Sequence, residues 1–428
     1  MGNLSKSILI FYLAASALSP LVYSALASGP DRYEVQKASI EMIALSLLFI
    51  SLVPKGKIRL LPVSFLFYVP LIAFVGLNVF LALSGPKGPQ WAQASTFFGI
   101  AMALVCGQLS GQTARPQELT VVFKSTLCYA PAVIAALLMF LVFDRFTYPQ
   151  GGAMKPVAYG GVVSTELSNI AGLAMIPYVV LFAVGRNRAG CLLALSALLA
   201  VQVWLMSLGT IIVFAVLTGV AFLLLKKAAR NNLFIAFIVA TVFSLLAGGS
   251  VVALYILGAL DLDWLLAYTG DSYFLRLGSY DALARHAFEN PLVGIGLGGF
   301  GEPPHHNILG LAAETGILSM TLYSVAAIFG TVLAGRLLVR QQSVGTMGSE
   351  CAIVGVTFVL SALFLHAKGF VHDTWYQKSA YFYVAFVFGA GINHFAQRKT
   401  VSSSRAGEFF PPTDRSSFPI REVRKCAM

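Results

Sequence analysis

The chain has 428 residues, 57% of them apolar and only 11% charged, with a mean hydropathy of +0.79 and a formal net charge of +11. About a quarter of the residues of a soluble globular domain are charged, so this composition excludes that class and points to an all-α, polytopic integral membrane protein. The excess of Lys and Arg fits cytoplasmic loops better than a nucleic-acid partner, because positive residues collect on the inner side of membrane proteins. Cys106, Cys128, Cys191, Cys351 and Cys426 have no repeated spacing, and four of them fall in apolar runs. They read as small buried side chains rather than disulfides or a metal cluster.

In chain order, the run from Ser7 to Ala27 is the first span rather than a removed signal peptide, since no small-residue cleavage site with a polar mature region follows it. Residues 38–53 are the second, closed by Pro54 and the basic cluster Lys55, Lys57 and Arg59. Residues 60–83, 91–110 and 121–143 follow as the third to fifth. A polar loop, 144–161, precedes the sixth span from Glu166 to Val184. The apolar interval from Ala189 to Leu225 is too long for one span at about 1.5 Å per residue and fits two, turning near Met206 to Thr210. Residues 232–259, 307–335, 351–371 and 379–395 bring the expected count to about 12 transmembrane helices.

With the N-terminus inside, the basic clusters at 55–59, 115, 186–188, 226–230 and 336–340 all fall on the cytoplasmic side. The expected organisation is a transmembrane domain over 1–397, with a periplasmic loop at 260–306 carrying short helices, and a disordered cytoplasmic tail over 398–428. Such loops are long enough to demand a purpose. This one holds Arg276, Arg285, His286, His305 and His306. It faces away from ATP and nucleotide sugars, and the chain has no GxxxxGK[ST] loop and no HExxH. Arginine pairs bidentately with phosphate and stays charged, so Arg276 and Arg285 suit a diphosphate. A neutral histidine accepts a proton near pH 7, which makes His306 a candidate general base.

The run from Arg276 through ENPLVGIGLGGF at 289–300, the His306-Asn307 pair and the tract LAAETG at 311–316 resembles the periplasmic signature of the O-antigen ligase and O-antigen polymerase superfamily. The resemblance is sharp over these residues and extends to the rest of the chain in topology. It implies a glycosyltransferase of the bacterial inner membrane whose active site faces the periplasm. Its donor would be an undecaprenyl-diphosphate-linked glycan. The acceptor would be either lipid A core, in lipopolysaccharide biosynthesis, or another repeat unit, in polysaccharide polymerisation. No cofactor or metal is implied, and the partners are donor, acceptor and membrane lipids, with no nucleic acid. Arg276 would hold the diphosphate and His306 would deprotonate the acceptor hydroxyl, with inversion at the anomeric carbon.

The chain departs from the family where a second arginine is expected, because Ser207, Leu208 and Gly209 stand in place of Ser-Arg-Gly. Leucine cannot bind phosphate, so a replacement cation is expected from Arg145 first, then Lys368 or Arg32. Other roles have two readings each. Arg276 is a diphosphate ligand or an interfacial anchor. Arg285 and His286 are site residues or the polar face of a short helix whose apolar stripe is Leu277, Ala284 and Phe288. His305 is the alternative base, and Asn307 is a substrate contact or a helix cap. Glu314 orients the histidine or pairs with Lys368, and Asn169 resembles in position a polar segment of the family that lines the lipid entry. Beside the enzyme stand a transporter or flippase for lipid-linked oligosaccharide and a non-catalytic scaffold of envelope assembly; internal repeats and helices broken within the membrane would mark a transporter.

Overall fold

The computed structural model describes residues 3–26, 33–55, 57–84, 89–142, 146–147, 157–158, 164–204, 210, 213–214, 217, 279–296, 307–343, 349–368 and 377–392. Its helices are α1 (Asn3–Leu26), α2 (Tyr33–Leu52), α3 (Phe65–Ser84), α4 (Trp91–Thr113), α5 (Pro116–Leu127), α6 (Tyr129–Val142), α7 (Ser164–Ala183) and α8 (Arg188–Trp204). They continue with α9 (279–289), α10 (Asn307–Ser343), α11 (Ser349–Lys368) and α12 (Lys378–Ile392). A two-residue antiparallel pairing of Phe146–Thr147 with Val157–Ala158 interrupts this helical plan inside the loop expected at 144–161. The expected ninth span and tail lie outside the described residues, and so does most of the eighth.

Among the described residues, four stretches are long and apolar enough to cross a membrane: Pro62–Ser84, Gln93–Thr113, Gln117–Met139 and Ile308–Arg340. Their exposed side chains are largely apolar as well. Phe65, Leu66, Val69, Ile72 and Phe80 lie open on α3, and Leu318, Ile328, Phe329 and Val332 on α10. Water-facing helices do not carry such faces, which are compatible with lipid contact. The expected fifth span is divided at Cys128 into α5 and α6, and Cys128 is exposed, unlike the buried Cys106 and Cys191. The expectation of a buried thiol therefore fails at Cys128, which sits at the joint between two helices rather than on a packed face.

The helix at the centre is α12. From Lys378 to Gly389 every residue is buried on all sides, as expected of a helix that is apolar all round. Phe382 packs on Tyr12 of α1, Phe388 on Phe67 of α3, and Phe386 and Tyr383 on Phe358 of α11. Glycine lets α4 come against it. A Cβ at Gly107 would stand 2.4 Å from the Phe382 carbonyl oxygen, one at Gly111 2.1 Å from that of Phe386, and one at Gly389 2.2 Å from that of Gln108. Gly107 and Gly111 are one turn apart, the small-xxx-small spacing by which apolar helices bring their backbones together.

Candidate functional site

Helix α10 contains a break that organises the stretch singled out in the sequence. Gly316 has φ 89° and ψ 162°, a backbone conformation essentially restricted to glycine. The helical ladder is cut there, and the carbonyls of Ala313 and Glu314 face other donors. The amide of Ile295 donates to Ala313 O at 2.8 Å and that of Gly296 to Glu314 O at 3.0 Å. In return the amide of Ile317 donates to Pro291 O at 2.8 Å. The turn 290–296 thus supplies the partners that the missing helical turn would have supplied. Each buried polar group left unpaired would cost about 1–3 kcal/mol.

The fit depends on glycine on both sides. A Cβ at Gly316 would lie 2.3 Å from Leu292 O, and one at Gly294, which has φ 65°, would lie 2.3 Å from the carbonyl carbon of Glu314. The segments ENPLVGIG and LAAETG, read separately in the sequence, are therefore one backbone-locked unit. Upstream, the amide of Asn290 donates to His286 O at 3.0 Å and ties the turn to α9.

Polar side chains gather on the neighbouring helices. Lys368, at the end of α11, is only 2% exposed and donates to Thr210 Oγ1. Thr210 Oγ1 lies 2.6 Å from Ser168 Oγ, and Ser168 donates to Gln202 Oε1, whose Nε2 donates back to Ser168 O at 2.8 Å. The serine proton is committed to the glutamine, so the threonine proton must bridge to the serine, which leaves the threonine oxygen to accept from the ammonium. Asn78 of α3 donates to Ser319 Oγ at 2.7 Å, just past the break. Tyr323 Oη and His366 Nδ1 are 3.3 Å apart.

Elsewhere in the bundle Lys378 pairs with Glu41 at 3.1 Å, and Ser16 Oγ donates to the other carboxylate oxygen of Glu41 at 3.2 Å. The stem of Lys378 passes Gly99, where a Cβ would stand 2.4 Å from Lys378 Cε. Sequence reasoning missed this pair. The signal was present, since Glu41 is an ionisable residue within an apolar run.

Of the expected site residues, Glu314, Asn169 and Lys368 are buried. Glu314 sits at the break, and its carbonyl holds the turn. Asn169 Oδ1 is buried without a hydrogen-bond partner among the described residues. Asn307 is the first residue of α10. Arg285 is exposed and pairs with Asp281 one turn back, while His286 lies 3.5 Å from Glu289, which fits the polar-face reading of α9. Of the stripe expected there, Leu277 lies outside the described residues and Ala284 is half-buried, but Phe288 is 80% exposed, and the buried residues are Leu283 and Ala287. Phe288 is one residue beyond Ala287 and so lies about 100° further round the helix. Arg276, His305, His306, Arg145, Leu208 and Arg32 lie outside the described residues.

Comparison of the chain with protein-family models finds no match. Comparison with curated proteins finds none either.

Proposed function

We propose that the protein transfers a glycan from undecaprenyl diphosphate to a hydroxyl acceptor at the periplasmic face of the bacterial inner membrane, as an O-antigen ligase or surface-polysaccharide polymerase. The observation that carries this reading is the union of the turn 290–296 with the broken helix at Gly316. The two stretches that resemble the superfamily are held together by backbone bonds, and in the chain they stand on either side of His306. In this reading the chain makes about twelve spans with both ends inside. Arg276 holds the diphosphate while His306 takes the proton of the acceptor hydroxyl. The acceptor oxygen forms its bond to the anomeric carbon as the carbon–oxygen bond to the lipid diphosphate breaks. Lys368 is buried and engaged with Thr210, which favours Arg145 as the second cation.

The alternative is a transporter, a class marked by helices broken near mid-membrane, whereas the break at Gly316 lies near the start of the apolar stretch Ile308–Arg340. Purified protein supplied with an undecaprenyl-diphosphate glycan and an acceptor separates the two. The enzyme releases lipid diphosphate, and His306→Ala lowers that release by about 10²–10⁴-fold while donor binding remains. Donor that crosses the bilayer of proteoliposomes with no release of lipid diphosphate would establish transport instead.

A further inference from the structure

The turn that locks the broken helix carries an apolar surface of its own. Phe288 is 80% exposed, Leu292 73% and Val293 54%, and Leu318, on the other side of the Ile317–Pro291 bond, is 52% exposed. Nothing in the locking of the turn calls for these side chains, because the contacts with α10 are made by backbone and glycine. Three large apolar residues close to one another in sequence on a polar segment are costly to leave in water.

Depth along α10 indicates what covers them. Arg336 stands twenty residues after Gly316, about 30 Å along a helix, which matches the thickness of a hydrocarbon core. With Arg336 at the inner boundary, the break lies at the outer one. The turn is then neither in the middle of the bilayer nor clear of it. Its backbone is satisfied by α10, as irregular backbone at that depth must be. Its exposed apolar face continues the lipid-compatible face formed by Leu318, Ile328 and Phe329. The other end of α9 is polar, with Asp281 and Arg285 paired and exposed.

We propose that the tip formed by Phe288, Leu292 and Val293 inserts into the outer leaflet at the level where headgroups meet acyl chains, while the Asp281 end of α9 stays in water. The occupant of this surface is lipid, by continuity with the exposed face of α10. The proposal rests on the reading of the chain as membrane-spanning and is independent of the transferase reading.

The test uses the full chain in lipid vesicles, with its native tryptophans replaced by phenylalanine and one tryptophan introduced at Phe288, Leu292, Asp281 or Ile328. Emission from positions 288 and 292 is expected to be lost to bromine placed high on the acyl chain, and emission from 281 to acrylamide in the water. Ile328→Trp is the control for membrane insertion, quenched by bromine deep in the chain. Loss of emission from 292 to acrylamide but not to brominated lipid, with 328 still quenched by lipid, overturns the proposal and spares the membrane reading. A control at 328 that no brominated lipid quenches overturns both. Protection at 292 that disappears as the protein is diluted in lipid assigns the surface to a second copy of the chain and also overturns the proposal. If the tryptophan-free chain does not fold, nitroxide-labelled cysteines at the same positions, read by oxygen against an aqueous nickel chelate, give the same comparison.

Discussion

Among the described residues, two contacts bring backbone against backbone with glycine, and they do so for different reasons. Where α4 meets α12, both helices remain regular, and Gly107, Gly111 and Gly389 contribute only the absence of a side chain. Where the turn 290–296 meets α10, Gly316 contributes that absence and also a backbone conformation closed to other residues. The first contact is between two complete helices. The second replaces part of a helix, since the bonds that Gly316 forfeits reappear between α10 and the turn. Glycine as a spacer tolerates some adjustment of its neighbours, whereas glycine as a hinge has no nearby alternative.

Substitutions separate the two roles. Gly316→Ala meets the Leu292 carbonyl and a disallowed φ together, so a loss of about 2–6 kcal/mol is expected, the sum of backbone strain and overpacking. Thermal unfolding in detergent and protease cleavage of the turn would read it. A next-largest loss, about 3–5 kcal/mol, is expected for Lys378→Met, which strands the buried Glu41 carboxylate beside α12. Adding Glu41→Gln to that variant should restore most of the stability, and a double variant no better than the single one would refute the pairing account. Gly111→Ala keeps an ordinary helical backbone and meets the Phe386 carbonyl and the Ala390 nitrogen without backbone strain, so about 1–3 kcal/mol is expected. A cost equal to that of Gly316→Ala would remove the distinction between spacer and hinge. Gly296 isolates the remaining component. It has φ 91° with nothing within 4 Å of a Cβ, so Gly296→Ala should show strain alone, at about 1 kcal/mol.

The helical plan was legible because uninterrupted apolar runs allow few other folds. The glycines at 294, 296 and 316 were legible only as members of the tracts ENPLVGIGLGGF and LAAETG, and the spacing of Gly107 and Gly111 went unread. Their partners were not legible. That the amides of Ile295 and Gly296 serve the carbonyls of Ala313 and Glu314 depends on a break whose only local sign is one glycine in a helix-forming stretch. Phe288 looked like the buried side of a short helix because apolar periodicity does not distinguish protein from lipid as the neighbour.

The sequence by itself determined that the chain is helical and apolar enough to cross a membrane, because composition and run length act locally through the cost of exposing backbone to an apolar medium. It also placed the glycine-rich stretch beside the polar loop. Tertiary structure decided which helix lies at the centre, since α12 is no more apolar than its neighbours and is central only because α1, α3, α4 and α11 close around it. It likewise decided which cations are neutralised and by what. Lys378 meets Glu41 across most of the chain, and Lys368 donates to Thr210, 158 residues away in sequence. Such pairings are energies of contact between distant segments, and they come into existence only when the helices that carry them have packed.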